Sequence, residues 1–154
     1  MKQYKGRPVV PGKVTAEALV SHNGFNTLAS FQGALQFGEL PIIGKKYKQT
    51  ECDDQNNADL YQKPMLNKAL CLPQTIGSTT GGMVLYCANA LGKAPSCLLF
   101  SNHIDSLAAA GAVLADVWGS SPMPVVDCLG DDFLNEVKTG DMITVYEDGT
   151  VEVR

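Results

Sequence analysis

The sequence predicts a three-layer mixed α/β domain, and three observations lead there. The middle of the chain, residues 69–126, alternates strand, helix, strand, helix, strand, which implies parallel strands joined by right-handed crossovers. Short Val- and Ala-rich runs near the N-terminus and a hairpin pattern near the C-terminus add an antiparallel portion. Of the 154 residues 45% are hydrophobic and only 18% charged, a composition that can build a core. The length matches one domain of about 150 residues.

Residues 7–10 and 13–21 read as two strands meeting at the tight turn Pro11-Gly12, and Val14, Ala16, Ala18 and Val20 alternate with Thr15, Glu17 and Leu19 as a half-buried strand requires. From residue 22 to 64 the periodicity fades, and only short extended pieces at 27–31 and 41–43 are expected. The polar run 49–59 lies inside this stretch, and so long a loop in a compact domain is either functional or covered. Residues 69–72 form a short apolar strand stopped by Pro73. After the turn 74–82, a helix is expected over 81–91, with Val84, Leu85, Ala88 and Leu91 on one stripe and Gly92 as its stop. Residues 96–100 read as a buried strand, after which Ser101 or Asn102 can cap a helix running to Trp118. A strand at 124–126, one or two helical turns at 131–137, and a hairpin of 142–146 with 150–153 complete the chain.

Charge and composition remove several functions. A net charge of −4 offers no basic field for nucleic acid or an anionic membrane, so no partner of either kind is expected. The N-terminus lacks the apolar stretch of a secretory leader and no run of about 18 apolar residues could span a bilayer, which predicts a soluble, cytoplasmic protein. Five cysteines, an odd number with no C-x-x-C pair, suggest neither a zinc site nor a disulfide framework. Cys71, Cys87 and Cys97 read as small core residues, whereas Cys52 in its polar loop could be exposed.

The richest segment is residues 74–82, Gln-Thr-Ile-Gly-Ser-Thr-Thr-Gly-Gly, between a buried strand and a helix. Gly77, Gly81 and Gly82 let backbone approach a ligand, and the amides opening the helix favour a carboxylate or phosphate. The lysine of the phosphate-binding pattern G-x-x-x-x-G-K-S/T is missing, which argues against a nucleotide. Ser78, Thr79 and Thr80 serve either as helix caps or as ligand groups, and Ser78 could act as a nucleophile or base although G-S-T-T-G is not the hydrolase elbow. Only His22 and His103 could assist it, and His103 is expected on the same rim. Asp53, Asp54 and Asp59 read as a solvated run.

The string Gly6-Arg7-Pro8-Val9-Val10-Pro11-Gly12, followed by Glu17-Ala18-Leu19-Val20-Ser21, resembles the opening of the aconitase X small subunit, close to G-R-x-x-x-P-G-x-x-x-G-E-A-L-V-S. The likeness continues through Leu72-Pro73, the Gly77-Ser78 segment, Ala94-Pro95 and the Ala-rich run 107–114. It implies a swivelling β/β/α domain, like the mobile fourth domain of aconitase, that closes over a large subunit to form a hydro-lyase of hydroxy acids. It also implies Ser78, and that residue alone, as the catalytic base; Gly77, Thr79, Thr80, Gly81 and Gly82 are expected to bind substrate because they form the glycine-rich turn and helix start around it. No metal ligand is expected in this chain, and the iron or iron-sulfur centre is expected in the large partner. Family members acting on mevalonate 5-phosphate usually carry Arg or Lys just before G-S, where this chain has Ile76, which tilts the expected substrate to cis-3-hydroxy-L-proline. Phe31-Gln32-Gly33 and Asp54 with Asn57 depart from the family pattern and carry no catalytic expectation. The alternatives are a mevalonate 5-phosphate dehydratase subunit, a non-catalytic anion-binding module and a stand-alone serine hydrolase using Ser78 and His103.

Overall fold

The computed structural model describes residues 1–154. In chain order the strands and helices are β1 (Lys2–Lys5), β2 (Arg7–Val10), β3 (Val14–Val20), β4 (Phe25–Asn26), α1 (Thr27–Phe37), a 3-10 turn (Ile43–Tyr47), β5 (Ala69–Leu72) and β6 (Thr75–Ile76). Then follow α2 (Gly81–Ala90), β7 (Cys97–Phe100), α3 (Ser106–Trp118), β8 (Val125–Asp127), α4 (Asp131–Glu136), β9 (Met142–Val145) and β10 (Thr150–Val153).

Eight strands form one sheet in the order β1-β10-β9-β3-β5-β7-β8-β2. β3 is long enough to serve two neighbours: Val14 to Glu17 pair antiparallel with β9, while Ala18 to Val20 pair parallel with β5. β5, β7 and β8 continue in parallel, as the βαβ pattern predicts. The edge strands β1 and β2 are neighbours in sequence, separated only by Gly6, so the sheet must curl until its edges approach. Gly6 closes it by donating its N–H to the Gly149 carbonyl at 3.0 Å, and a Cβ there would stand 2.5 Å from the Asp127 carbonyl.

Alternation along the central strands builds two cores. Ala18, Val20, Cys71, Leu99 and Val126 point to one side and meet Ile143, Val145 and Val151 from the antiparallel half, with Phe133 and Leu134 of α4 filling the end. Leu19, Leu70, Leu72, Leu98 and Phe100 point to the other side and pack on Phe31, Leu85, Ala108 and Ala112 of the helices. β5 and β7 are therefore buried on both faces and read as continuous apolar runs. The predicted β/β/α layering is present.

Four local expectations need correction. β2 and β3 do not pair with each other across Pro11-Gly12; β2 joins β8 at one edge and β3 lies in the centre. Residues 27–31 are the start of a helix, because the Asn26 side chain accepts from the Ala29 N–H at 3.1 Å and Thr27, Ser30, Phe31 and Ala34 bury one stripe. Residues 41–43 lead into a 3-10 turn rather than a strand. The helix before Trp118 starts late: Asp105, not Ser101 or Asn102, caps it by accepting from the Leu107 and Ala108 N–H groups.

Candidate active site

The carboxyl ends of β5, β7 and β8 lie on one edge, the usual ligand side of a parallel sheet. Leu72 leads through Pro73 into β6, which pairs with β4 in parallel and so holds the turn that carries Ser78. Gly77 adopts a φ of +97°, and a Cβ on it would stand 2.7 Å from the Asn26 side chain that caps α1. No other residue fits that position without displacing the cap.

Ser78 is half-buried in a pocket of about 230 Å³ between this turn and the first turn of α3. Its Oγ lies 2.8 Å from Thr80 Oγ1 and accepts the Thr80 N–H at 3.2 Å. Beyond it, the amides of Gly82 and Met83, in the first turn of α2, find no acceptor in the chain. Thr27, Thr75, Gly77 and Gly81 supply small or hydroxyl-bearing walls, and Ile76, Leu107 and Ala108 the apolar ones. Asp105 is the single charged lining residue. Its Oδ1 accepts from the Thr75 hydroxyl while Oδ2 caps α3, so one carboxylate ties the serine turn to the next helix.

The structure distributes the predicted residues unevenly. Gly77, Ser78 and Gly81 line the pocket. Thr80 supports the serine oxygen, whereas Thr79 is exposed on the rim. Gly82 is buried in the α2–α3 crossing, its Cβ position 2.4 Å from the Leu107 carbonyl oxygen. Thr27, Thr75 and Asp105 are the lining groups that pattern reading missed. The clue to Asp105 was an acidic residue one position before an apolar helical stripe, the usual place of a cap.

His103 does not reach Ser78's pocket. Its Nε2 lies 3.1 Å from Arg7 Nη2, its Nδ1 2.7 Å from the Ile104 carbonyl oxygen, and it lines a separate cleft. His22 sits beside Asp59 at 3.7 Å. Neither makes a serine-histidine pair. Cys52 is buried, not exposed, and burial pushes its thiol pKa up. Burial also raises Cys71, and it lifts Cys97 to about 12. No group of three or more His, Cys, Asp or Glu is placed to hold a metal, so this chain's donor set does not fit an iron centre of its own. No helix is long and apolar enough to cross a membrane. Within the polar run, Asp54 and Asn57 are buried: the Asn57 amide donates to Ser21 Oγ at 3.0 Å and pins the loop to the end of β3.

The family model of the aconitase X swivel domain matches residues 3–153. The chain belongs to that family. The swivel domain is 27% identical over 151 residues to the phosphomevalonate dehydratase small subunit of Aeropyrum pernix, covering 98% of this chain and 92% of that protein. It is 29% identical over 151 residues to the protein of the same name from Methanocella arvoryzae, covering 98% and 96%. The crystal structure of holo-form aconitase X from Thermococcus kodakaraensis superposes with a TM-score of 0.74 at 28% identity, covering 100% of this swivel domain and 99% of that chain. The β/β/α fold and the membership implied by the motifs around Arg7, Glu17 and Ser78 thus agree with independent comparison.

Proposed function

We propose that this chain is the small subunit of an aconitase X-type hydro-lyase, that it closes over a large subunit, and that Ser78 is the base that removes the substrate's proton. Thr80 carries this reading: its N–H and hydroxyl both lie on the serine oxygen, where they stabilise an alkoxide. The pocket, about 230 Å³, is smaller than an ordinary ligand site of about 300–1,000 Å³ and open to solvent on one side, and closure on a partner supplies the dry surroundings in which such stabilisation is strongest. In the reaction, the Ser78 alkoxide takes the proton next to the substrate carboxylate. The C–H electrons form the double bond, the C–O bond to the hydroxyl breaks, and the departing hydroxide takes up the proton from Ser78 Oγ, leaving as water and restoring the alkoxide. Because this chain's residues do not fit a metal, the iron or iron-sulfur centre belongs to the large subunit in this reading, and Thr80 and Asp105 hold and aim the Ser78 base.

The substrate supported best is mevalonate 5-phosphate, because the curated relatives that cover nearly the whole chain are named phosphomevalonate dehydratase small subunits. This reverses the preference for cis-3-hydroxy-L-proline drawn from Ile76. One observation keeps hydroxyproline as a second reading: the serine pocket has an isoleucine at the position of the usual cation and no Lys or Arg in its lining. Co-expression with the large subunit and a dehydration assay on both compounds decides between them. Turnover of mevalonate 5-phosphate is expected; turnover of hydroxyproline alone selects the second reading, and turnover of neither removes the hydro-lyase proposal.

A further inference from the structure

The serine pocket contains one carboxylate and no cation, yet every hydroxy-acid substrate brings at least one anionic group. A cation stands on the far side of the same helical turn. Asp105, Leu107 and Ala108 face the serine pocket, while Ile104, Ser106 and Ala109 line a second cleft of about 390 Å³ with Arg7 and His103. Both clefts lie at the carboxyl edge of the parallel strands, since Arg7 is paired in register with Asp127 at the end of β8.

Arg7 is held as a binding group would be. Its Nε and Nη2 donate to the two oxygens of Asp127 at 2.9 and 2.6 Å, and the Ile104 N–H also donates to Asp127 at 2.8 Å. The carboxylate side chain is 0% exposed and the arginine 53% exposed, so the face presented to the cleft is the cation. His103 takes a third contact on Nη2, which leaves Nη1 with no partner in the chain. A guanidinium fixed on one edge and free on the other is preorganised for an oxyanion.

We propose that the Arg7–His103–Ser106 cleft is an anion subsite that takes the phosphate or carboxylate of the substrate while Ser78 works on the other side of the α3 turn. This deepens the hydro-lyase reading by assigning the substrate's charged end to a residue of this chain rather than to the turn that carries Ser78.

The test is an NMR titration of the isotopically labelled full chain with inorganic phosphate and, separately, acetate. Shifts are expected at the Arg7 Nε–H and at the His103 and Ser106 amides; stronger binding of phosphate assigns a phosphoryl group, and stronger binding of acetate a carboxylate. Arg7→Lys keeps the charge but loses the fork, and should weaken binding about tenfold. Ser106→Glu leaves the Arg7–Asp127 pair intact, favours the helix start, and should also weaken binding at least about fivefold by repulsion. No shifts, or shifts confined to residues 78–83 and unmoved by either variant, would overturn the proposal. In the reconstituted complex Arg7→Lys should raise KM about tenfold with kcat little changed; an unchanged KM also overturns it. Loss of turnover in Ser78→Ala bears on the base alone, so the two readings fail separately.

Discussion

Gly82 and Gly111 press backbone to backbone where α2 crosses α3: a Cβ on Gly111 would stand 2.4 Å from the Gly82 carbonyl oxygen. This crossing sets the height of the α2 N-terminus, and with it the turn that carries Ser78. Alanine at Gly111 has only backbone to push against, so the helices must separate. The expected cost is about 2–3 kcal/mol, a fall in Tm of roughly 5–10 °C for a domain of this size. Thermal unfolding measures it, and a Tm within a degree or two of the parent removes the close crossing as a determinant.

Thr75 and Asp105 form the other tie on the serine turn. Thr75→Val keeps the shape and leaves Asp105 Oδ1 without its donor, costing about 1–2 kcal/mol of stability. In the complex with the large subunit kcat should fall about tenfold with KM nearly constant, and Thr75→Ser should restore it. Equal kcat for the valine and serine variants speaks against a positioning role.

The Arg7–Asp127 pair gives the swivel domain a defined acid sensitivity. Burial by itself would raise Asp127, but the Arg7 hydrogen bonds and the Ile104 N–H hold its pKa below the ordinary 3.8. A carboxylate depressed in the folded state stabilises fully above its unfolded value, and the contribution is lost as the pH falls through the folded value. Asp127→Asn should therefore lower Tm clearly at pH 7 and much less at about pH 2.5. A constant difference across that range contradicts the assignment.

The central strands were legible because burial on both faces leaves continuous apolar runs, as in residues 69–72 and 97–100, bounded by Pro73 and by Pro95 and Ser101. The helix over Thr27–Phe37 was hidden because its buried stripe contains Thr27 and Ser30, and because Gly33, a helix weakener, is there to admit the Tyr47 ring. β1 was missed because it lies on an edge with mostly exposed side chains, and strand order depends on curling that only long-range pairing reveals. Within the site, Ser78 stood out through its glycines. Thr75 and Asp105 did not, because thirty residues separate two atoms that share a hydrogen bond.

The cysteines offer a direct check on the corrected loop. Cys128 is exposed, although partial desolvation and the neighbouring Asp127 carboxylate raise its thiol pKa too, and Cys87 is partly exposed. Cys52, Cys71 and Cys97 are buried and their thiols pushed up by that burial, so exposure sets the order of reaction. Alkylation of the native chain followed by mass spectrometry should label Cys128 first, Cys87 slowly and the other three only after unfolding. Early labelling of Cys52 contradicts the packing of residues 48–68.

The most direct measurement on the proposed chemistry is turnover by Ser78→Ala in the complex reconstituted with the large subunit, read alongside subunit association. Loss of the oxygen that Thr80 supports should lower kcat by at least about a thousandfold, with association unchanged. Activity within tenfold of the parent, in a complex that still assembles, would show that the base lies elsewhere.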